Sequence, residues 1–303
     1  MITHPPEETR SVKKPAWLKV PFPSKSGFFS VSSLLDKHNL HTICRSAKCP
    51  NIAECWTAKT ATFLILGNTC TRNCAFCAVD KGTPSPVAED EPKVVAEAAA
   101  TLGLSHVVVT SVTRDDLRDG GASQFVRTIQ AIRERIPGAT VEVLVPDFSG
   151  SDDSLGQVVL AAPDILNHNL ETTEALYPKI NRPAAYYRRS LGVLEKAKEW
   201  GMVTKSGLII GLGETEEDLF RAFSDLGQAG CDLLTIGQYL QPTRAHAPVA
   251  KYYAPEEFAK LKDIALGFGF SDVESGPLVR SSFHAHELYD NYKRHRKGAA
   301  CGT

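Results

Sequence analysis

Three cysteines lie within eight residues in the stretch CTRNCAFC, at Cys70, Cys74 and Cys77, with the spacing C-x3-C-x2-C. Thiolates grouped in this way bind zinc or iron–sulfur clusters. A structural zinc site uses four protein ligands, and a 4Fe–4S cluster held by four cysteines is a closed electron-transfer centre. Three cysteines leave one iron of such a cluster open. We therefore predict that this iron binds a substrate or cofactor through an amine and a carboxylate, with a zinc or redox site as the alternative.

A second group of three cysteines lies upstream in CRSAKCPNIAEC, with the spacing C-x4-C-x5-C. Its members are Cys44, Cys49 and Cys55. Six of the eight cysteines thus lie between residues 44 and 77, and this clustering predicts metal binding rather than disulfide bonds. The other two, Cys231 and Cys301, are interpreted as a small buried hydrophobic residue and an incidental terminal residue.

The composition limits the possible partners. The 303 residues suffice for one large domain or two small ones. The formal net charge of -1 gives no reason to expect a nucleic-acid or membrane partner. The first twenty residues contain no apolar stretch typical of a secretory signal, and the apolar runs are too short to span a bilayer. We therefore predict a cytoplasmic protein.

Strand-like and helix-like segments alternate along the chain. Apolar, β-branched runs predict six buried strands, at 60–66, 106–112, 140–146, 164–170, 206–212 and 233–240. Helical patterns between them imply a parallel α/β sheet, wound into an open sheet or a barrel. CTRNCAFC follows the first strand, so we expect it at the carboxyl-terminal edge, where parallel α/β proteins place their active sites.

The motifs resemble those of a known family. CTRNCAFC, with Phe76 before its last cysteine, resembles the signature of the radical SAM superfamily. The upstream motif CRSAKCPNIAECW and the tail element RSSFHA (280–285) are similar to those of lipoyl synthases. The resemblance covers about residues 40–286, and it also includes TSVTRDDLRDGGA (110–122), NHNLET (167–172) and GLIIGLGET (207–215).

The resemblance implies a fold and three regions of the chain. The fold would be a partial (β/α)6 TIM-type barrel with an N-terminal extension and a C-terminal tail that cover it. Residues 1–59 would be the extension with the upstream cysteines, 60–254 the radical SAM core, and 255–303 a helix and tail carrying RSSFHA.

The resemblance also implies two 4Fe–4S clusters and S-adenosyl-L-methionine (SAM). Cys70, Cys74 and Cys77 would hold the cluster that binds and reduces SAM. An auxiliary cluster would be held by Cys44, Cys49, Cys55 and Ser282. Ser281 is the second choice for the serine ligand, and both serines could instead cap a turn.

The implied activity is that of a radical SAM sulfurtransferase. It would insert two sulfur atoms from the auxiliary cluster at C6 and C8 of a protein-bound octanoyl-lysine, giving lipoyl-lysine. The partners would be an octanoylated lipoyl-carrier domain or H protein, and an electron donor such as ferredoxin or flavodoxin. The alternatives are another radical SAM enzyme that inserts sulfur or methylthio groups, a two-cluster electron carrier, and a zinc-binding structural module.

Further residues are candidates for SAM contacts. They are Phe76, Ser111, Asn169, Glu171, Arg182 and Gly211. Asn169 and Glu171 could instead belong to a capped loop. The charged residues 114–116 are either part of the site or a structural ion-pair network. His168 and His284 are interpreted as structural histidines.

Overall fold

The computed structural model describes residues 13–20, 26–58 and 60–300, so Cys301 lies outside the described residues. The strands are β1 (His41–Thr42), β2 (Thr62–Ile65), β3 (Thr69–Cys70), β4 (Asp80–Lys81), β5 (His106–Ser111), β6 (Thr140–Leu144), β7 (Ile165–Asn167), β8 (Val203–Ile210), β9 (Leu233–Gln238) and β10 (Asp272–Gly276). The helices are α1 (Ser26–Lys37), α2 (Ile43–Ser46), α3 (Ile52–Thr57), α4 (Glu91–Leu102), α5 (Ala122–Arg135), α6 (Asp152–Leu160), α7 (Ala185–Glu199), α8 (Glu216–Gln228), α9 (Pro255–Leu266) and α10 (Ala285–Ala300).

Eight strands form the main sheet, in the order β1-β2-β5-β6-β7-β8-β9-β10. All neighbouring strands are parallel except β1, which is antiparallel to β2. The predicted α/β architecture is confirmed, because each of the six predicted runs overlaps a strand of this sheet. Helices connect the successive parallel strands, as parallel pairing requires.

The tail adds a seventh parallel strand that the sequence pattern did not predict. Strand β10 pairs with β9 over five residues, from Asp272 to Gly276. Its sequence, DVESG, has a single large apolar residue, Val273, so it lacks the apolar run that identified the other strands. Pairing with β9, rather than local composition, makes this segment a strand.

Side chains alternate between the two faces of the sheet. Outward residues of β2, β5 and β6, such as Phe63 and Val143, pack with α4 and α5 in one hydrophobic core. Outward residues of β8 and β9, such as Leu208 and Ile236, pack with α7, α8 and α9 in another. The inner face is more polar, because it carries a buried charged group on β6 and another on β8.

These two groups are Glu142 and Lys205, which form an ion pair inside the barrel with 2.9 Å between Lys205 Nζ and Glu142 Oε1. Asn167 Nδ2 donates to the same oxygen at 3.1 Å, and His106 Nε2 lies 3.2 Å from Oε2. Burial would raise the pKa of Glu142, but Lys205 and His106 hold it at about 2. The carboxylate is therefore charged at neutral pH and fully partnered.

The leader and the tail both pack against this sheet. Trp56 of the leader belongs to the same hydrophobic core as Phe63 of β2. In the tail, Leu288 and Tyr292 of α10 pack on Leu233, the first residue of β9. Helix α10 therefore lies at the amino-terminal edge of the sheet. No helix among the described residues is long and apolar enough to cross a membrane.

We predict that Lys205→Met destabilises the protein by about 3–5 kcal/mol, because it leaves Glu142 buried without its cation. Chemical unfolding at pH 7 measures this change. Lys196→Met is the matched control, since Lys196 pairs with Asp152 at the exposed surface, and it should cost less than about 1 kcal/mol. Equal effects of the two substitutions would contradict the role given to the buried pair.

Candidate active site

One cavity, enclosing about 360 Å³, lies at the carboxyl-terminal edge of the sheet. Inner-face residues of the strands, such as Leu64, Leu144 and Gly207, line it. All six clustered cysteines line it as well, together with Ser281 and Ser282 of the tail. The structure therefore brings both cysteine groups and the tail serines to one chamber. The volume falls within the usual range of small-molecule sites.

The loop that carries Cys70, Cys74 and Cys77 is held from several sides. Cys70 ends β3, which pairs with β4 beyond the loop. Ala75 donates its backbone N–H to Ile180 O at 2.9 Å and accepts from Ala247 N at the same distance. His246 Nε2 lies 3.0 Å from Cys77 O. Two other loops of the barrel thus fix this one in place.

An ion-pair network anchors the same loop through Arg72. Its guanidinium contacts Asp115 at 2.8 Å and Asp147 at 2.6 Å. Burial would raise the pKa of Asp147, but Arg72 holds it at about 2. Arg114 pairs with Asp116 at 2.8 Å. Of the two interpretations of residues 114–116, the structure thus shows the ion-pair network, and none of the three lines the cavity.

The upstream cysteines lie on two short helices and the turn between them. Cys44 is in α2, Cys55 is in α3, and Cys49 donates its backbone N–H to Cys44 O at 3.0 Å. Asn51 Nδ2 donates to Leu278 O at 2.6 Å, which joins this segment to the tail. The cysteines of the leader and the serines of the tail therefore share one wall of the chamber.

Burial keeps most of these thiols protonated in the absence of metal. It raises the pKa of Cys44, Cys49 and Cys74 and brings the pKa of Cys55 and Cys77 to about 12. Metal ligands must be thiolates, so cluster assembly must release protons and supply the charge that stabilises the sulfur anions.

The cysteines of the described residues form no disulfide bond. All seven described cysteines are free thiols. Within residues 13–20, 26–58 and 60–300, no three His, Cys, Asp or Glu side chains converge on a point where one metal ion could bind. Cysteines that hold a 4Fe–4S cluster each bind a different iron, so their sulfur atoms stay farther apart.

The two tail serines differ in their contacts. Ser281 Oγ donates to Asn169 Oδ1 at 2.8 Å. In the described part of the chain, the Ser282 hydroxyl forms no hydrogen bond, and it lines the cavity beside the leader. The backbone does turn here, since Phe283 N donates to Arg280 O at 2.9 Å, but neither serine hydroxyl caps that turn.

Comparison with known proteins shows the same family features. The radical SAM superfamily model matches residues 64–226. The chain is 53% identical over 288 residues to a lipoyl synthase of Rubrobacter xylanophilus, covering 94% of this chain and 89% of that protein. It is 55% identical over 277 residues to a lipoyl synthase of Chlorobaculum tepidum, covering 90% and 94%. The chain belongs to the lipoyl synthase family.

Solved structures support the fold at low sequence identity. The hydrogenase maturase HydG has a TM-score of 0.55 at 12% identity, covering 82% of this chain and 68% of that one. Methylornithine synthase has a TM-score of 0.51 at 14% identity, covering 86% and 85%. These similarities concern the fold alone.

Membership in the lipoyl synthase family confirms the predicted activity. The chain is a radical SAM sulfurtransferase that uses SAM and two 4Fe–4S clusters to convert a protein-bound octanoyl-lysine into lipoyl-lysine. The other radical SAM enzymes, the electron carrier and the zinc module considered above are thereby excluded.

Five of the six residues predicted to contact SAM line the chamber of this lipoyl synthase: Phe76, Ser111, Asn169, Glu171 and Arg182. Among the described residues, the buried guanidinium of Arg182 has no partner at Nε or Nη1, and the buried Ser111 hydroxyl has none either. Unpaired buried donors are costly unless a ligand binds them. They therefore fit a cosubstrate with a carboxylate and other polar groups.

Glu171 has both a role in its loop and a position in the chamber wall. Its backbone joins β8, since Glu171 N donates to Gly207 O and Ile209 N donates to Glu171 O. Its φ of 72° is rare for a residue with a side chain and indicates local strain, as is common at functional sites. Burial raises the pKa of its carboxyl.

The SAM contact predicted at Gly211 remains a prediction. Gly211 lies outside the cavity lining and has φ of 104°, where any side chain would collide with Gln238. Its N–H donates to Glu214, which also accepts from Tyr253, so this part of GLIIGLGET stabilises a turn. Gly207 lines the chamber instead, and a Cβ there would lie 2.7 Å from Asn169 Oδ1.

Two charged residues near the cysteine groups were not predicted from the sequence. Arg72 anchors its loop, and Arg280 lies in the cavity wall beside Cys49. Arg72 belongs to the motif CTRNCAFC, and Arg280 belongs to RSSFHA. Their membership in these motifs is the feature of the sequence that could have identified them as site residues. Their partners, Asp147 and Cys49, are distant in sequence from them and become neighbours only in the fold.

We predict that the metal-free protein alkylates slowly at Cys55 and Cys77. With a pKa of about 12, these thiols are about a thousandfold less ionised at pH 8 than an ordinary thiol. Mass spectrometry after timed iodoacetamide treatment should show slow reaction that accelerates as the pH rises toward 12. Urea-unfolded protein is the control, and equal rates in both states would contradict the effect of burial.

Proposed function

We propose that the two cysteine groups divide the reaction between two clusters facing one chamber. Cys70, Cys74 and Cys77 hold the cluster that binds SAM. The auxiliary cluster, the source of sulfur, is held by Cys44, Cys49, Cys55 and Ser282. The observation that carries this proposal is that all seven residues line one cavity, so a chain between the clusters would be within reach of both.

Ser282 is the better candidate for the serine ligand because its hydroxyl forms no hydrogen bond within the described residues, whereas Ser281 bonds Asn169. An alkoxide is a harder ligand than a thiolate and suits cluster iron less well. A weakly held iron is reasonable at a cluster that must release sulfur.

Arg182 is suited to pair with the carboxylate of SAM, and Ser111, Asn169 and Glu171 to bind its other polar groups. When bound, the cluster and SAM together supply a radical able to remove hydrogen from an unactivated carbon, which no side chain can do. The residues of the chain orient SAM and exclude water. Gly207 keeps the wall flat where SAM would approach.

The octanoyl chain would lie along the apolar part of the chamber wall, which includes Leu64, Leu144 and Val279. Its carrier would be a lipoyl-carrier domain or H protein, and ferredoxin or flavodoxin would donate electrons. We place the reaction in the cytoplasm. Residues 1–59, 60–254 and 255–303 would be the extension with the auxiliary ligands, the radical SAM core, and the tail that supplies Ser282.

The division of labour is tested with Cys44→Ala. The reconstituted protein is mixed without oxygen with SAM, dithionite and an octanoyl-lysine peptide, and mass spectrometry follows the peptide and 5′-deoxyadenosine. We expect the variant to form 5′-deoxyadenosine but to add no sulfur. Cys231→Ala is the control, because Cys231 is buried away from the cavity, and it should retain both products. If Cys44→Ala lost SAM cleavage while Cys231→Ala retained it, the proposed division of labour between the two clusters would be contradicted.

The serine assignment predicts different outcomes for two neighbouring variants. Ser282→Ala should lose sulfur insertion and change the Mössbauer spectrum of the auxiliary cluster, because one iron loses its protein ligand. Ser281→Ala should lose only its hydrogen bond to Asn169, worth about 1 kcal/mol, and keep that spectrum. The reverse pattern would assign the ligand to Ser281.

A further inference from the structure

Arg280 is a partly buried cation in the chamber wall. Its guanidinium lies across the end of β9, where a Cβ at Gly237 would be 3.2 Å from Arg280 Nη1. Its side chain donates to Val279 O at 2.6 Å, and within the described residues no aspartate or glutamate pairs with it. Arginine stays charged in proteins, so this cation lacks a counterion in the described part of the chain.

Arg72, which also lines the chamber, shows how the fold treats a cation that it neutralises itself. Its guanidinium contacts two carboxylates, those of Asp115 and Asp147. Arg280 is different: burial lowers the pKa of its guanidinium, and the group that opposes this effect is the Cys49 thiol. A charge held away from water is costly unless an anion reaches it. The position of Arg280 therefore calls for an anion that binds in the chamber.

The neighbours of Arg280 indicate which anion this is. The chamber is proposed to hold the carboxylate of SAM and two clusters. Arg182 acts electrostatically on Cys74, a ligand of the SAM cluster, whereas Arg280 acts on Cys49, a ligand of the auxiliary cluster. Arg280 also shares a turn with Ser282, closed by the bond from Phe283 N to Arg280 O. Three thiolates and one alkoxide would give the auxiliary cluster a net negative charge.

We propose that Arg280 acts through the auxiliary cluster, as its counter-charge, and raises the reduction potential of that cluster. A fixed positive charge in a site shielded from water favours the form of a cluster that carries one more electron. The contact with Gly237 and the bond to Val279 O fix this charge in the wall that carries Cys49 and Ser282. This inference rests on the ligand set proposed above for the auxiliary cluster.

The test measures reduction potentials of the cluster-loaded enzyme rather than turnover. An anaerobic redox titration followed by EPR gives a potential for each cluster. Cys44→Ala identifies the auxiliary cluster, because its step should change or vanish in that variant. In Arg280→Gln, we expect reduction of the auxiliary cluster to become about tenfold less favourable, a fall of about 59 mV for a one-electron couple. The SAM cluster should keep its potential.

Two further variants separate the charge from the shape of the side chain. Arg280→Lys keeps the positive charge without the planar guanidinium, so it should retain most of the wild-type potential. Arg45→Met is the matched control, because Arg45 follows Cys44 in the sequence but pairs with Asp36 at the exposed surface. Its loss should change the reduction equilibrium by less than about threefold. Iron content and melting temperature confirm that each variant is loaded and folded.

Failure of a variant to load its cluster is also informative. Loss of the auxiliary cluster from Arg280→Gln but not from Arg280→Lys would support the same role, because the cluster would then need the cation to remain bound. Loss from both variants would show a requirement for the shape of the guanidinium and would overturn the inference.

Other results would overturn the inference as well. An unchanged auxiliary potential in Arg280→Gln would remove the counter-charge role, and an equal fall in Arg280→Lys would assign the effect to structure. Weaker SAM binding in equilibrium dialysis, with that potential unchanged, would assign Arg280 to the carboxylate of SAM. If wild type showed no second redox step that depends on Cys44, the ligand set itself would be wrong, whereas the other results would leave it intact.

Discussion

The close approach of the tail backbone to the end of strand β9 is the contact on which the shared chamber depends. Gly237 lies directly under Val279, and a Cβ at Gly237 would collide with the carbonyl oxygen of Val279. Gly207, on the neighbouring strand β8, leaves similar room for Ser281 of the tail and for Asn169. The absence of side chains at these two positions lets the tail cross the sheet and bring Ser282 to the cavity wall.

Strands β9 and β10 and the leader then hold the tail there. The parallel pairing of β10 with β9 sets the direction in which the chain enters the turn at 277–283. The hydrogen bond from Asn51 to Leu278 O ties that turn to the segment between Cys49 and Cys55. Two segments of the chain that are more than 200 residues apart in sequence therefore form one wall of the chamber.

The chamber combines apolar burial with a small number of unsatisfied polar groups. Burial disfavours thiolates in the metal-free site, and it leaves Arg182, Ser111 and His168 with atoms that have no partner in the described part of the protein. Such groups reduce the stability of the unliganded fold, because each loses its hydrogen bonds to water. In a lipoyl synthase this cost is offset when clusters and SAM bind, so the same features that weaken the empty site make it selective.

The sequence by itself determined the chemistry and most of the strand–helix order of this protein. Cysteine spacing and apolar β-branched runs are local signals, so both motifs and six strands were readable from residues close together in the chain. The tertiary structure decided the identity of β10, the place of Gly207 in the cavity wall, the difference between Ser281 and Ser282, and the hydrogen bond of His168 to Val145. Each of these depends on which distant backbone or side chain lies opposite, and that information is absent from local composition because it arises only when the sheet is assembled.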